Sequence, residues 1–291
     1  MQKTRKRKQQ IQLKPERIEA KSAKFSSGKK EEPYPTHSRP NPEECRAIRD
    51  SLLSFHGFPQ EFAKYRKTDD DNDLKPDISD VKEESVLDGL VKTVLSQNTT
   101  QLNSDKAFDN LKSAFPKWED VLAAESKCLE NAIRCGGLAP TKARCIKNML
   151  GSLLEKRGKL CLEYLRDLSV DEIKAELSHF KGIGPKTVSC VLMFNLQKDD
   201  FPVDTHVFEI AKAIGWVPEV ADRNKTYLHL NQRIPNDLKF DLNCLLYTHG
   251  KLCRNCTKKG LNQHRKESND DSCPILNYCN NFCVKTTDDI N

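Results

Sequence analysis

Apolar side chains recur at three- and four-residue intervals through most of the chain, and no convincing run alternates apolar with polar as a half-buried strand would. One helical face is marked by Val86, Leu87, Leu90, Val91, Val94 and Leu95, and a second by Ala107, Phe108, Leu111 and Phe115. A third follows at Cys145, Ile146, Met149, Leu150, Leu153 and Leu154. The rhythm returns at Val188, Val191, Leu192 and Asn195, then at Val207, Ile210, Ala211 and Ile214. A shorter amphipathic stretch over 42–62 offers Leu52, Leu53, Phe55 and Phe58 for burial. The pattern predicts an all-α body with short connections, built as two lobes of helices.

The flanks read differently. Residues 1–40 are polar, basic and punctuated by Pro33, Pro35 and Pro40, which predicts a disordered tail. Residues 41–82 form a short helical segment followed by an acidic linker (Asp69, Asp70, Asp71, Asp73, Asp77, Asp80). The helical body spans 83–252, and 253–291 are a cysteine-rich loop and tail.

Charge is local. The chain carries a formal +6, but residues 1–30 alone hold eleven Lys and Arg against two Glu, a net of +9 that leaves −3 for the remainder. Binding to a polyanion must therefore come from a local face of the body and from the tail. Lys3, Arg5, Lys6, Arg7 and Lys8 read as a nuclear localisation signal or a phosphate-binding arm, with an organelle transit peptide or a merely solvated tail as alternatives. No apolar run is long enough to cross a membrane, and the N-terminus lacks the apolar core of a secretory signal. Twelve cysteines in a chain read as intracellular favour thiols and metal ligation over disulfides.

The densest chemistry lies in FKGIGPKTVSCVLMFNLQKDDFPVDTH, residues 180–206. Gly182 and Gly184 permit a tight turn with exposed amides, and Pro185 suits the first position of a helix. A helix start of this kind attracts phosphate. Lys186 supplies an amine that becomes a nucleophile once it loses its proton, and Asp204 a carboxylate at the head of the next apolar stretch. Taken singly, these are loop glycines, a solvated lysine and an N-cap aspartate.

Together, F-x-G-x-G-x-K-T followed by V-D-T-H resembles the signature of helix-hairpin-helix DNA glycosylases of the endonuclease III superfamily. The resemblance runs over about residues 83–252 and is closest to plant endonuclease III-like proteins and plant 5-methylcytosine glycosylases. It implies a two-lobed helical glycosylase fold acting on double-stranded DNA as a monomer in the nucleus. Lys186 would attack the sugar to form a Schiff base, Asp204 would stabilise positive charge on the sugar, and Gly182 and Gly184 would clamp the backbone. In LSQNTTQLN the ungapped register puts Asn98 where the family carries a wedge glutamine, with Gln97 beside it. In CGGLAPTKA, Leu138 matches the second wedge, although packing against a neighbouring helix would equally explain it.

The family often ends in four cysteines that hold a [4Fe–4S] cluster, and Cys273 and Cys279 match the last pair. Cys253 and Cys256 depart from the usual first half. A cluster on Cys253, Cys256, Cys273 and Cys279, zinc on the same four, Cys283 as a replacement ligand, and no metal all stay open. Cys45, Cys128, Cys135, Cys145, Cys161, Cys190 and Cys244 read as core thiols. The expectation is a DNA glycosylase and abasic-site lyase of base excision repair acting on an oxidised pyrimidine. The rivals are a 5-methylcytosine or mismatch glycosylase and a non-catalytic hairpin that only binds DNA.

Overall fold

The computed structural model describes residues 32–66, 84–253, 256–257 and 273–278. The basic tail, most of the acidic linker and the final residues lie outside them. Among the described residues every regular element is helical, in line with the period of the apolar positions.

Helix α1 (Pro42–His56) starts at a capping box, with the Asn41 side chain accepting from the Glu44 amide and Glu44 accepting from the Asn41 amide. A short α2 (Gln60–Ala63) follows. The first lobe comprises α3 (Val86–Leu95), α4 (Gln101–Ala114), α5 (Trp118–Ala123), α6 (Ser126–Ala132), α7 (Ala139–Arg157), α8 (Val170–Ser178) and α9 (Pro185–Cys190). Helix α9 runs on into a π-turn over Val191–Asn195. The second lobe comprises α10 (Thr205–Ala213), α11 (Arg223–Arg233) and α12 (Asn236–Leu252).

Two apolar cores result. One draws on Val86 through Leu196; the other joins Phe201 through Leu246 with Cys45, Ile48 and Leu52 of α1, and with Cys256 and Ile275. Helix α1 therefore packs with the last elements of the chain, mainly on α12. Two positions on the predicted apolar faces stay in water, Phe55 (53% exposed) and Leu154 (40%). Both sit in the last turn of their helices, beyond the neighbours that cover the rest.

The chain returns from the first lobe to the second through 197–203, and a buried carboxylate holds that crossing. Asp200, wholly enclosed, accepts from the Ser189 hydroxyl of α9 (3.1 Å), the Phe201 amide (2.8 Å) and the Tyr227 hydroxyl of α11 (3.0 Å). It also pairs with Lys174 of α8 at 2.7 Å. An enclosed charge is tolerated only when paired and hydrogen-bonded this fully. Beyond it, Asn231 accepts from the Phe201 amide and donates to its carbonyl, and Asn243 donates to the Pro202 carbonyl. Side chains of α11 and α12 thus satisfy a stretch of backbone that no helix or sheet pairs.

Removing Asp200 strands the Lys174 ammonium and the Ser189 and Tyr227 hydroxyls, while the Phe201 amide keeps Asn231. Asp200→Ala is expected to lower stability by about 3–5 kcal/mol in urea denaturation, with Asp200→Asn falling between it and the wild type.

Candidate active site and metal centre

The hairpin between α8 and α9 is anchored by Phe180 and Ile183, both in the first core. Gly182 has φ +96°, and a Cβ there would stand 2.7 Å from the Cys145 Sγ of α7, so both backbone and space demand glycine. Gly184 differs. Its φ of −92° suits any residue, and nothing lies within 4 Å of a Cβ built on it. Its value is an uncovered backbone rather than a turn. Pro185 opens α9, and the amides of Gly184, Lys186 and Thr187 have no acceptor among the described residues. Lys186 is exposed and makes no ion pair among the described residues.

Asp204 ends the extended 201–203 stretch and caps α10, its Oδ1 accepting from the Val207 amide at 2.8 Å. Its other oxygen is outside any hydrogen bond among the described residues. Cys190 is the last residue of α9. Burial pushes that thiol up to about 11, with the Lys186 charge opposing and the Asp204 and Asp200 charges adding to the shift. Tyr247 of α12 is likewise raised to about 12, by burial and then by Asp204. Lys186, Asp204, Cys190 and Tyr247 therefore share one electrostatic neighbourhood, supplied by α9, α10 and α12. Beside it, Phe62 of α2 stacks on Phe194 of the π-turn (5.5 Å between centroids) and meets Tyr247 edge-on. His206 packs edge-on against Tyr247 and sits under Gly250 of α12, a packing role.

The two loops singled out in the sequence come together through one buried amine. Lys142 of α7, 2% exposed, donates to the Leu95 carbonyl (2.7 Å) and to the Gly136 carbonyl (2.8 Å), at the roots of both loops. Its pKa is lowered by burial. Beyond the first root, Gln97 donates to the Thr187 hydroxyl of α9 (3.1 Å), while Asn98 is exposed with φ +51°. Beyond the second, Leu138 follows Gly137 with φ +50° and is 54% exposed rather than packed on a neighbouring helix. A leucine held left-handed and in water is strained by about 1–3 kcal/mol. Such strain is more often retained for a task than for packing.

At the end of α12 the structure gathers His249, Cys253, Cys256 and Cys273, whose ligand atoms all lie within 4.8 Å of one another. This group is able to hold a metal. Cys279 and Cys283 lie outside the described residues. The Cys253 thiol is held far below its usual range by hydrogen bonds from Cys256 and Cys273, with burial opposing and His249 assisting. Of the remaining cysteines among the described residues, only Cys45 and Cys244 are fully buried core thiols. Cys128 is exposed, and Cys135, Cys145, Cys161 and Cys190 are half-buried.

Sequence reasoning missed Asp200, Lys142, Tyr247 and His249. For His249 a signal existed, because a histidine four residues before Cys253 shares its helix face. For Lys142 and Asp200 none did, since a charged residue in a polar stretch reads as solvated.

The model of the HhH-GPD superfamily of base excision DNA repair proteins matches residues 91–236. An Arabidopsis thaliana protein provisionally named a DNA glycosylase is 65% identical over 258 residues, covering 84% of this chain and 88% of that protein. The DNA glycosylase/AP lyase ROS1 of the same plant is 31% identical over 182 residues, 57% of this chain but only 12% of ROS1. In fold, the chain superimposes on endonuclease III from a non-covalent complex with DNA, with a TM-score of 0.61 and 21% identity over 83% of this chain and 96% of that one. No helix among the described residues is long and apolar enough to cross a membrane.

Lys142→Met is expected to leave two carbonyls unpaired and to cost about 2 kcal/mol or more, with faster amide exchange over 96–100 and 137–138. In the native protein at pH 7.5, iodoacetamide should label exposed Cys128 and spare Cys190, whose thiol stays protonated until the pH nears 11, as peptide mass spectrometry would read.

Proposed function

The chain belongs to the HhH-GPD superfamily of base excision DNA repair proteins, and we propose that it is a bifunctional DNA glycosylase that removes a damaged base and then cleaves the strand. The observation that carries this reading is an exposed Lys186 amine in the first turn of α9 together with an Asp204 carboxylate that caps α10 through one oxygen and keeps the other outside any hydrogen bond among the described residues. A hairpin that only clamps phosphate needs neither group. The name of ROS1, a glycosylase and AP lyase, is consistent with a lyase here.

Duplex DNA buries the base to be removed, so the nucleotide must swing out and something must fill its place. Leu138, strained and exposed, and Asn98, at the tip of the other loop, are suited to that, and Lys142 keeps the two loops at a fixed spacing. The hairpin around Gly182 and Gly184 positions the backbone by accepting a phosphate on its unpaired amides, a contact that carries no sequence information. As the bond between C1′ and the base lengthens, positive charge grows on the sugar beside the Asp204 carboxylate, which stabilises it. The Lys186 Nζ, having given up a proton, bonds to C1′, and the electron pair of the broken bond leaves with the base, which takes up a proton. Ring opening gives a Schiff base between Lys186 and the sugar. Loss of a C2′ proton then expels the 3′ phosphate, and the strand is cut.

Oxidised pyrimidines are the substrate class we favour. An endonuclease III of Sulfolobus acidocaldarius is matched over 83% of its length, whereas the ROS1-type proteins are matched over about a tenth of theirs. The protein would act as a monomer, carried to the nucleus by the basic residues of its tail.

Borohydride trapping on duplexes holding an abasic site, thymine glycol, dihydrouracil or 5-methylcytosine tests this directly. Wild type is expected to form a covalent adduct with the abasic site and with an oxidised pyrimidine, and Lys186→Gln to form none. Asp204→Asn, which keeps a capping oxygen for α10, should slow base release about 100-fold or more. Binding without any adduct would reduce the hairpin to a phosphate clamp, and an adduct with 5-methylcytosine alone would transfer the protein to demethylation.

A further inference from the structure

Three thiols and one imidazole meet at the end of α12. Cys253 caps α12 four residues after His249, its amide donating to the His249 carbonyl, so the two lie together at the end of the helix. Thr257 fixes the turn that follows, its hydroxyl donating to the carbonyls of Gly250 and Cys253, and this brings Cys256 beside them. Cys273 arrives from seventeen residues further on, with Ile275 buried in the second core just after it. The Cys256 and Cys273 sulfurs stand 3.6 Å apart, and the Cys273 sulfur is 3.6 Å from His249 Nε2.

Those separations discriminate between metals. A tetrahedral ion with sulfur at about 2.3 Å and nitrogen at about 2.0 Å sets its ligand atoms about 3.5–3.8 Å apart, the edge of the tetrahedron. A [4Fe–4S] cluster gives each thiolate its own iron, so the ligands surround the whole cluster and stand much farther apart than touching sulfurs. The donor set differs too. Cys3His is a usual structural zinc set, whereas the cluster takes four thiolates.

His249 also has the support a ligating imidazole needs. It is 1% exposed, and its Nδ1 lies 3.0 Å from Nε2 of His56, in the last turn of α1. A proton on His249 Nδ1, donated to His56, leaves Nε2 with its lone pair facing the sulfurs. This is the outer contact that orients ligating histidines.

We propose that His249, Cys253, Cys256 and Cys273 hold a single tetrahedral zinc ion, oriented through His56, in place of the iron–sulfur cluster that the family resemblance implies. The ion pins residues 273–278 to α12, and through His56 it ties that corner to the end of α1. Its role is to join chain segments, and it takes no part in bond breaking at Lys186.

The full-length protein, purified without added chelator, tests this through elemental analysis and X-ray absorption at the zinc edge. One zinc per chain, no broad visible absorbance, and a shell of three sulfurs and one nitrogen are expected. Cys279→Ser should keep its zinc, and Cys273→Ser should retain less than a tenth of it. His56→Ala should weaken zinc about 10- to 100-fold in competition with a chromogenic chelator. Brown protein containing iron and acid-labile sulfide, a shell of four sulfurs, metal-free wild type, or loss of metal from Cys279→Ser would each overturn the proposal. The absorption measurement needs only wild type, so a variant that fails to fold does not blunt it.

Discussion

Asp200 is the constraint on which the rest depends. Its carboxylate is enclosed, so it must be paired, and its partners come from α8, α9, α11 and the segment leading to Asp204. Lys186 is three residues before Ser189 and Asp204 is four residues after Asp200. A single buried charge therefore fixes the amine of one lobe relative to the carboxylate of the other. Apolar packing alone would tolerate sliding between the lobes; a saturated carboxylate tolerates little, since any shift leaves a donor unpaired in a dry interior.

Much of this was legible in the sequence. The helical period from Val86 to Ile214 anticipates the two cores, because an amphipathic face tells its own story within a few turns. Lys186 and Asp204 were readable because they lie in one short stretch whose glycines and proline mark a hairpin. Burial of single charges was not legible, since it is a property of the assembled fold. Lys142 and Asp200 look like their solvated neighbours until other helices close around them. Gly182 and Gly184 likewise look equivalent as letters, yet only Gly182 is conformationally obliged to be glycine. The ligand set at the end of α12 was read from cysteine spacing alone, and an imidazole from inside a helix escaped that count.

Lys142 and Asp200 share a logic. Each is a charged group placed where water cannot reach, and each satisfies backbone that has no partner of its own: loop roots in one case, the crossing segment in the other. Irregular backbone is where reactive and contacting residues reside, and it keeps its shape here by side-chain hydrogen bonds that no secondary structure supplies.

The distribution of the two cores along the chain sets an order of assembly. The first is drawn from one unbroken span, Val86 to Leu196, and can close as soon as that span has left the ribosome. The second needs Cys45, Ile48 and Leu52 from near the start together with Ile275 from near the end. Helix α1 must therefore wait, its apolar face uncovered, through the synthesis of some two hundred residues. The lobe that contributes Asp204 is thus the last to be completed, and its core closes only once Ile275 has been made.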